Sequence, residues 1–155
     1  MIKWIISAVI VLAAAAFLSY WYVCPCEVVP GGPVQGAVDR TPVEDWHFVN
    51  DITAVPLCQI QVDFTIPRSM NVNCMSTGGD IFVSCSSCAG KAWSARALKY
   101  PDGFVKVGST VYPISYERVT DEAMLDRVWY ARLAKLDADL VDRPTDWWTF
   151  RLVCR

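Results

Sequence analysis

Charge is scarce in this chain. Only 19 % of its residues are Asp, Glu, Lys or Arg, and the net charge is −2. A protein that follows nucleic-acid phosphates needs a basic stripe or patch, so nucleic acid is excluded as a partner. Histidine is rarer still: His47, in "EDWHFVND", is the sole one, and it reads as a packed or capping residue. A Ser-His-Asp arrangement built on it would have no specificity. No second Cys-x-x-Cys accompanies Cys85 and Cys88, and Ala89 rather than His follows Cys88. Structural zinc and haem attachment therefore lack their ligand patterns. Between Lys3 and Arg40 there is no Lys or Arg.

That last gap contains the longest apolar run, "WIISAVIVLAAAAFLSYWYV", Trp4 to Val23. At about 1.5 Å per residue, twenty helical residues span the ~30 Å hydrocarbon core of a bilayer. Trp4 at one end and Tyr20, Trp21 and Tyr22 at the other stand where interfacial aromatics belong. Lys3 and the amine precede the run and no cation follows closely, so the positive-inside rule leaves residues 1–3 cytoplasmic and the remainder outside, periplasmic in a bacterium. The chain is thus expected to contact lipid through residues 4–23. A cleaved signal peptide is the alternative, but "SYWYV" lacks the small side chains of a cleavage site.

An exported domain lies in an oxidising compartment, where thiols pair. There are seven cysteines, so at least one is left over or joined to another chain. Cys24 and Cys26 fall in "CPCEVVPGGPVQG", whose prolines and glycines read as a linker over 24–41. The domain proper is expected over 42–155.

Within it, Cys58, Ile60, Val62 and Phe64 alternate with polar residues, as do Met70, Val72 and Cys74, which predicts a hairpin around Pro67. Cys58 and Cys74 then share a face, near enough for a disulfide if the register permits. "GGDIFVSC" is a turn and a third strand. "KAWSARALKY" predicts a short helix ending before Pro101. "GFVKVGSTVYPISYERV" is two strands about Gly108-Ser109, a type II′ hairpin signal. "TDEAMLDRVWYARLAKL" predicts a helix capped by Thr120, and "WWTFRLVCR" closes the chain as a strand. The order β-β-β-α-β-β-α-β predicts a mainly β (α+β) fold, a small six-stranded antiparallel barrel with two flanking helices, plus the N-terminal transmembrane helix.

From Gly79 to Arg155 the chain resembles the FMN-binding split-barrel superfamily, in its deazaflavin-dependent nitroreductase-like and pyridoxamine-phosphate-oxidase-like branches. The resemblance rests on "GGDIFVSC", "AWSARALKYP", "FVKVGSTVYPISYERVTD" and "WWTFRL", with Trp93 and Pro101 at that family's spacing. Arg96 stands where the family has Asn. The resemblance implies FMN or a deazaflavin as cofactor, a site around Ser84 to Arg96, and a homodimer.

Composition alone makes the loop "SCSSCAGKAW" suited to an anion. Ser84, Ser86, Ser87 and Gly90 offer hydroxyls and N–H groups, Lys91 adds a charge at a helix start, and Trp93 and Arg96 follow. Cys85 and Cys88 read either as a disulfide bracing the loop or as a redox pair before a helix. The functional expectation is a membrane-anchored, outward-facing flavin- or deazaflavin-type oxidoreductase. The alternatives are a non-enzymatic, disulfide-braced accessory module and a thiol-disulfide oxidoreductase using Cys85 and Cys88.

Overall fold

A computed structural model describes residues 2–22 and 31–155. The apolar run forms α1, Ile2–Tyr22. Its window Ile2–Tyr20 has a mean hydropathy of 2.2 and no part of it is buried against the rest of the chain. Val23, Cys24 and Cys26, the last residue of the expected span and the first cysteines of the linker, lie outside the described residues.

Eight strands form one curled, almost wholly antiparallel sheet. They are β1 (Ala37–Val38), β2 (Cys58–Val62), β3 (Arg68–Val72), β4 (Cys74–Thr77), β5 (Asp80–Cys85), β6 (Asp102–Val107), β7 (Thr110–Arg118) and β8 (Trp148–Cys154). Two helices, α2 (Ala92–Lys99) and α3 (Glu122–Lys135), flank it. The strand order is β3-β2-β6-β7-β8-β5-β4, with β1 pairing in parallel to the start of β7. The outermost strands of that order, β3 and β4, are consecutive in the chain and separated by Asn73 alone. The sheet must therefore curl until its two ends meet, which makes a split barrel.

The expected six strands thus become eight. Alternation runs unbroken through Met70, Val72 and Cys74, so one long strand was expected where Asn73 bends the chain between two. A break of one residue leaves no trace in a period-2 pattern. The other addition, β1, has two residues and lies in the segment read as linker, which reaches the barrel elsewhere too. Gly31 exchanges backbone hydrogen bonds with Ser69, and Val34 N–H donates to Gln61 Oε1 at 2.8 Å.

Two apolar clusters hold these layers. Inside the barrel, Ile60, Val62, Ile81, Val83, Val105, Ile114, Phe150 and Leu152 are buried together with Trp46. Outside it, α3 covers β4 and β5, burying Leu125 and Val128 against Met75 and Phe82. This second layer explains why Ile81 through Cys85 are all buried: one face of β5 looks into the barrel and the other meets the helix. The cap of α3 is Asp121 rather than Thr120, with its carboxylate accepting from Met124 N–H at 2.8 Å. At the β6–β7 turn Gly108 has φ +60°, as the first central position of a type II′ turn requires. His47 is exposed, while its neighbours Trp46 and Val49 enter the core.

Cys58, on β2, and Cys74, just past the bend, form a disulfide with Cα atoms 5.8 Å apart. Beside it, the buried Lys135 donates from Nζ to the Cys74 carbonyl at 2.8 Å. Burial pushes the Lys135 pKa below its ordinary 10.5, and the charge of Asp51 partly opposes this. An amine with a depressed folded-state pKa is protonated more readily in the unfolded chain, so the site costs stability at low pH and less as pH rises toward 10.5. Stability of the wild type relative to Lys135→Met is therefore expected to increase as pH is raised above neutrality toward 10.5. Urea midpoints of both proteins across that range check it, and parallel curves would refute it.

Candidate functional site

Where β5 ends and α2 begins, a cleft of about 530 Å³ opens on the side of the barrel. It is lined by Met70 to Asn73 from the bend, Ser84 to Ser86, Lys91, Trp93, Arg132 and Trp147. Its volume is within the ~300–1,000 Å³ typical of small-molecule and cofactor sites. Four of the six residues expected at the site, Ser84, Ser86, Lys91 and Trp93, meet here.

Ser84 turns its hydroxyl into the protein, 3.1 Å from the Thr149 hydroxyl. Ser86 is exposed on the rim. Trp93 is buried, with its ring 5.4 Å from that of Phe150, so one wall of the cleft is fixed by core packing. Lys91 is the residue before α2 and is exposed.

The other two residues lie elsewhere. Ser87 has φ +50° and directs both its N–H and its hydroxyl to Asp146 Oδ2, at 3.1 and 2.9 Å. It fastens the loop and does not line the cleft. Arg96 lies one turn further along α2, where it bonds the Asp63 carbonyl and covers the Tyr100 ring at 3.9 Å. It belongs to a different surface.

Cys85 and Cys88 form a disulfide across the loop, with Cα atoms 5.6 Å apart. Cys88 is fully buried, Cys85 nearly so, and α2 starts only at Ala92. A thiol-disulfide centre needs an accessible sulfur activated by a helix end or a cation, and this arrangement braces a loop instead.

Arg132 and Trp147 were not among the expected residues. Arg132 comes from α3 and Trp147 immediately precedes β8, and the segment between them positions both. Arg143 pairs with Glu122 and with Asp126, the latter at 3.0 Å, and the Trp129 indole N–H donates to the Val141 carbonyl at 2.7 Å. The returning chain thereby places Trp147 edge-on against Trp129, with centroids 5.0 Å apart. The Arg132 guanidinium lies 5.2 Å from one ring centroid and 4.9 Å from the other. Burial lowers its pKa from the ordinary 12.5, as expected for a cation held between indoles. A Trp doublet before an alternating strand was visible in the sequence, but nothing local paired it with an arginine fifteen positions earlier.

Two atoms of this wall lack partners. Arg132 Nε and Trp147 Nε1 are buried and have no hydrogen-bond acceptor among the described residues. Buried donors are nearly always satisfied, and these two, behind the cleft wall, are exceptions.

No family model matches the chain, and no curated protein matches it. Solved structures do. A putative pyridoxamine 5′-phosphate oxidase from Listeria innocua superposes with a TM-score of 0.56 at 10 % identity, over 69 % of this chain and 90 % of that one. A conserved hypothetical protein from Mycobacterium tuberculosis gives 0.57 at 13 % identity, over 79 % and 86 %. A putative 5-nitroimidazole antibiotic resistance protein from Bacteroides thetaiotaomicron gives 0.55 at 7 % identity, over 73 % and 81 %. The fold this chain shares with them is the split barrel. At these identities the likeness establishes the architecture and leaves the chemistry to the residues in the cleft.

Proposed function

We propose that the protein is a membrane-anchored, outward-facing split barrel that binds a flavin or deazaflavin in the cleft between Trp93 and Trp147 and serves as an oxidoreductase. The observation that carries this reading is the lining of the cleft, two cations, Lys91 and Arg132, beside two indoles, Trp93 and Trp147. The cations call for a ligand rich in acceptor oxygens and negative charge, and the two indoles call for a flat ring. FMN and deazaflavins have both.

The bound cofactor would supply hydride chemistry. The chain's part would be binding and orientation. Lys91 and Arg132 would hold anionic groups, Trp93 and Trp147 would fix a ring plane and exclude water, and the Cys85–Cys88 brace would keep the loop from yielding. Two proteins of the same fold, the putative pyridoxamine 5′-phosphate oxidase and the putative 5-nitroimidazole antibiotic resistance protein, support a reading of redox work on small nitrogenous molecules.

Titration of the full-length protein in detergent with FMN, riboflavin and a deazaflavin, followed by cofactor fluorescence, tests the reading. A charge-assisted hydrogen bond contributes about 1.5–3 kcal/mol, so Lys91→Gln and Arg132→Gln are each expected to weaken binding of the anionic cofactors roughly tenfold or more. Unchanged melting temperatures would show that both variants remain folded. If none of the three compounds binds, the cofactor reading fails.

A disulfide-braced accessory module is the second reading. It is favoured by the two crosslinks, Cys58–Cys74 and Cys85–Cys88, both within the barrel. The same titration decides between them.

A further inference from the structure

Arg96, displaced from the cleft, belongs to a second cluster at one end of the barrel, where the β2–β3 turn meets the C-terminus of α2. Arg68 and Arg96 both lie over the Phe64 ring, 5.9 and 5.8 Å from its centroid. Arg96 also covers Tyr100, and Lys99 Nζ is 5.3 Å from that same ring. On the same turn and helix end, Ile66 and Leu98 are more than half exposed. Arg96 has Asp63 as an ion-pair partner at 3.9 Å, whereas Arg68 and Lys99 have none among the described residues. The cluster thus combines exposed aliphatics, aromatic rings and two cations, Arg68 and Lys99, that have no ion-pair partner among the described residues.

The chain enters the barrel at this same end. Gly31 N–H donates to the Ser69 carbonyl at 2.9 Å, next to Arg68, and the Tyr20 hydroxyl of α1 donates to the Pro67 carbonyl. Nine residue steps separate Tyr22, the last of α1, from Gly31, and at ~3.3–3.6 Å each these reach at most about 30 Å. A helix that spans a bilayer cannot leave this end of the barrel far from the surface it emerges from.

We propose that this end is a second contact with the membrane, a site for anionic phospholipid headgroups. Arg68 and Lys99 would pair with phosphates, while Ile66, Leu98 and Tyr100 enter the interfacial layer. Aromatic rings and long cationic side chains are the residue types that settle there. The inference rests on α1 spanning the bilayer and is independent of any cofactor. It would hold the barrel in one orientation, with the cleft at a fixed height above the lipid.

Hydrogen exchange of the full-length protein in nanodiscs tests it, comparing zwitterionic discs with discs containing a third phosphatidylglycerol. Each surface cation near an anionic membrane is worth about a fivefold change in partition. The amides of residues 63–66, 68, 99 and 100 are therefore expected to slow roughly 25-fold in the anionic discs. That protection should vanish in Arg68→Gln/Lys99→Gln and fade in 1 M salt, where the screening length falls to about 3 Å. Equal exchange in both discs, with α1 protected, overturns the headgroup site and leaves the anchor standing. Unprotected α1 overturns both. Protection that tracks protein concentration rather than lipid charge identifies a second copy of the chain as the partner and overturns the proposal.

Discussion

Replacing both Cys58 and Cys74 by alanine is expected to lower the free energy of unfolding by about 3 kcal/mol, the loop-closure entropy released when a link across sixteen residues is removed. Both residues are fully buried, so lost packing adds to that figure. Against the ~5–15 kcal/mol of a typical domain, the variant retains a markedly smaller margin. With a urea slope of ~1–3 kcal/mol per molar, tryptophan fluorescence of the full-length protein in detergent should show the midpoint falling by about 1–3 M. The same relation gives only about 2 kcal/mol for Cys85 and Cys88, which are three positions apart. The first disulfide ties β2 to the chain just after the bend at Asn73, the place where the sheet's two ends meet. Its loss should loosen barrel closure, whereas the second affects one loop. A double variant at Cys58 and Cys74 that unfolds within about 0.5 kcal/mol of wild type would refute this account.

Gly103→Ala is expected to be as damaging for a different reason. Gly103 is opposite Val62 on one side and Ile114 on the other. A Cβ built there would be 2.3 Å from the Gln61 carbonyl oxygen and 2.7 Å from Tyr116 Cε2. Neither neighbour can give way cheaply. The Gln61 carbonyl is in a central strand and accepts from the Tyr116 hydroxyl at 3.2 Å, and Tyr116 is itself buried. That burial also holds its phenol protonated well above the ordinary range. Overpacking in a filled core costs ~1–3 kcal/mol, occasionally more, and here both obstacles are fixed, so about 3 kcal/mol is expected. Gly108→Ala is a useful contrast: its Cβ would meet nothing within 4 Å, and only the φ of +60° opposes it. Left-handed backbone costs a non-glycine residue roughly 1–2 kcal/mol. Equal midpoints for the two variants would show that Gly103 has slack absent from the structure.

How much of this could be read from the sequence depended on whether the signal was local. The alternation of Cys58 to Val62, the helical spacing from Met124 onward and the Gly108-Ser109 turn all describe contacts between near neighbours, and the structure has those elements. Cys58 and Cys74 could be placed on one face because a hairpin fixes parity as well as proximity. Parity is blind to a bend, however: the alternation from Ser69 to Cys74 reads as one strand, whereas the chain bends at Asn73 between β3 and β4. Thr120 and Asp121 are both competent caps, and sequence offers no rule for choosing between adjacent ones.

The cleft was half legible for the same reason. Ser84, Ser86, Lys91 and Trp93 are on one short segment. Arg132 and Trp147 reach the cleft only because Arg143, Glu122 and Asp126 fold a loop back across α3. Arg96 was carried into the expected site by its nearness in sequence to Trp93. Three residues along a helix advance it by about 4.5 Å, and there Arg96 meets Asp63 and Tyr100.

Strand β3 is an outer member of the sheet, and a strand in that position presents unpaired N–H and C=O groups to which another chain can add. At Ser69 both groups are taken by Gly31, at 3.2 and 2.9 Å, and the Ser69 hydroxyl donates to the Gly32 carbonyl at 2.6 Å. The segment joining the barrel to α1 therefore also guards the sheet against edge-to-edge aggregation, and a barrel cut free of it would present an open strand.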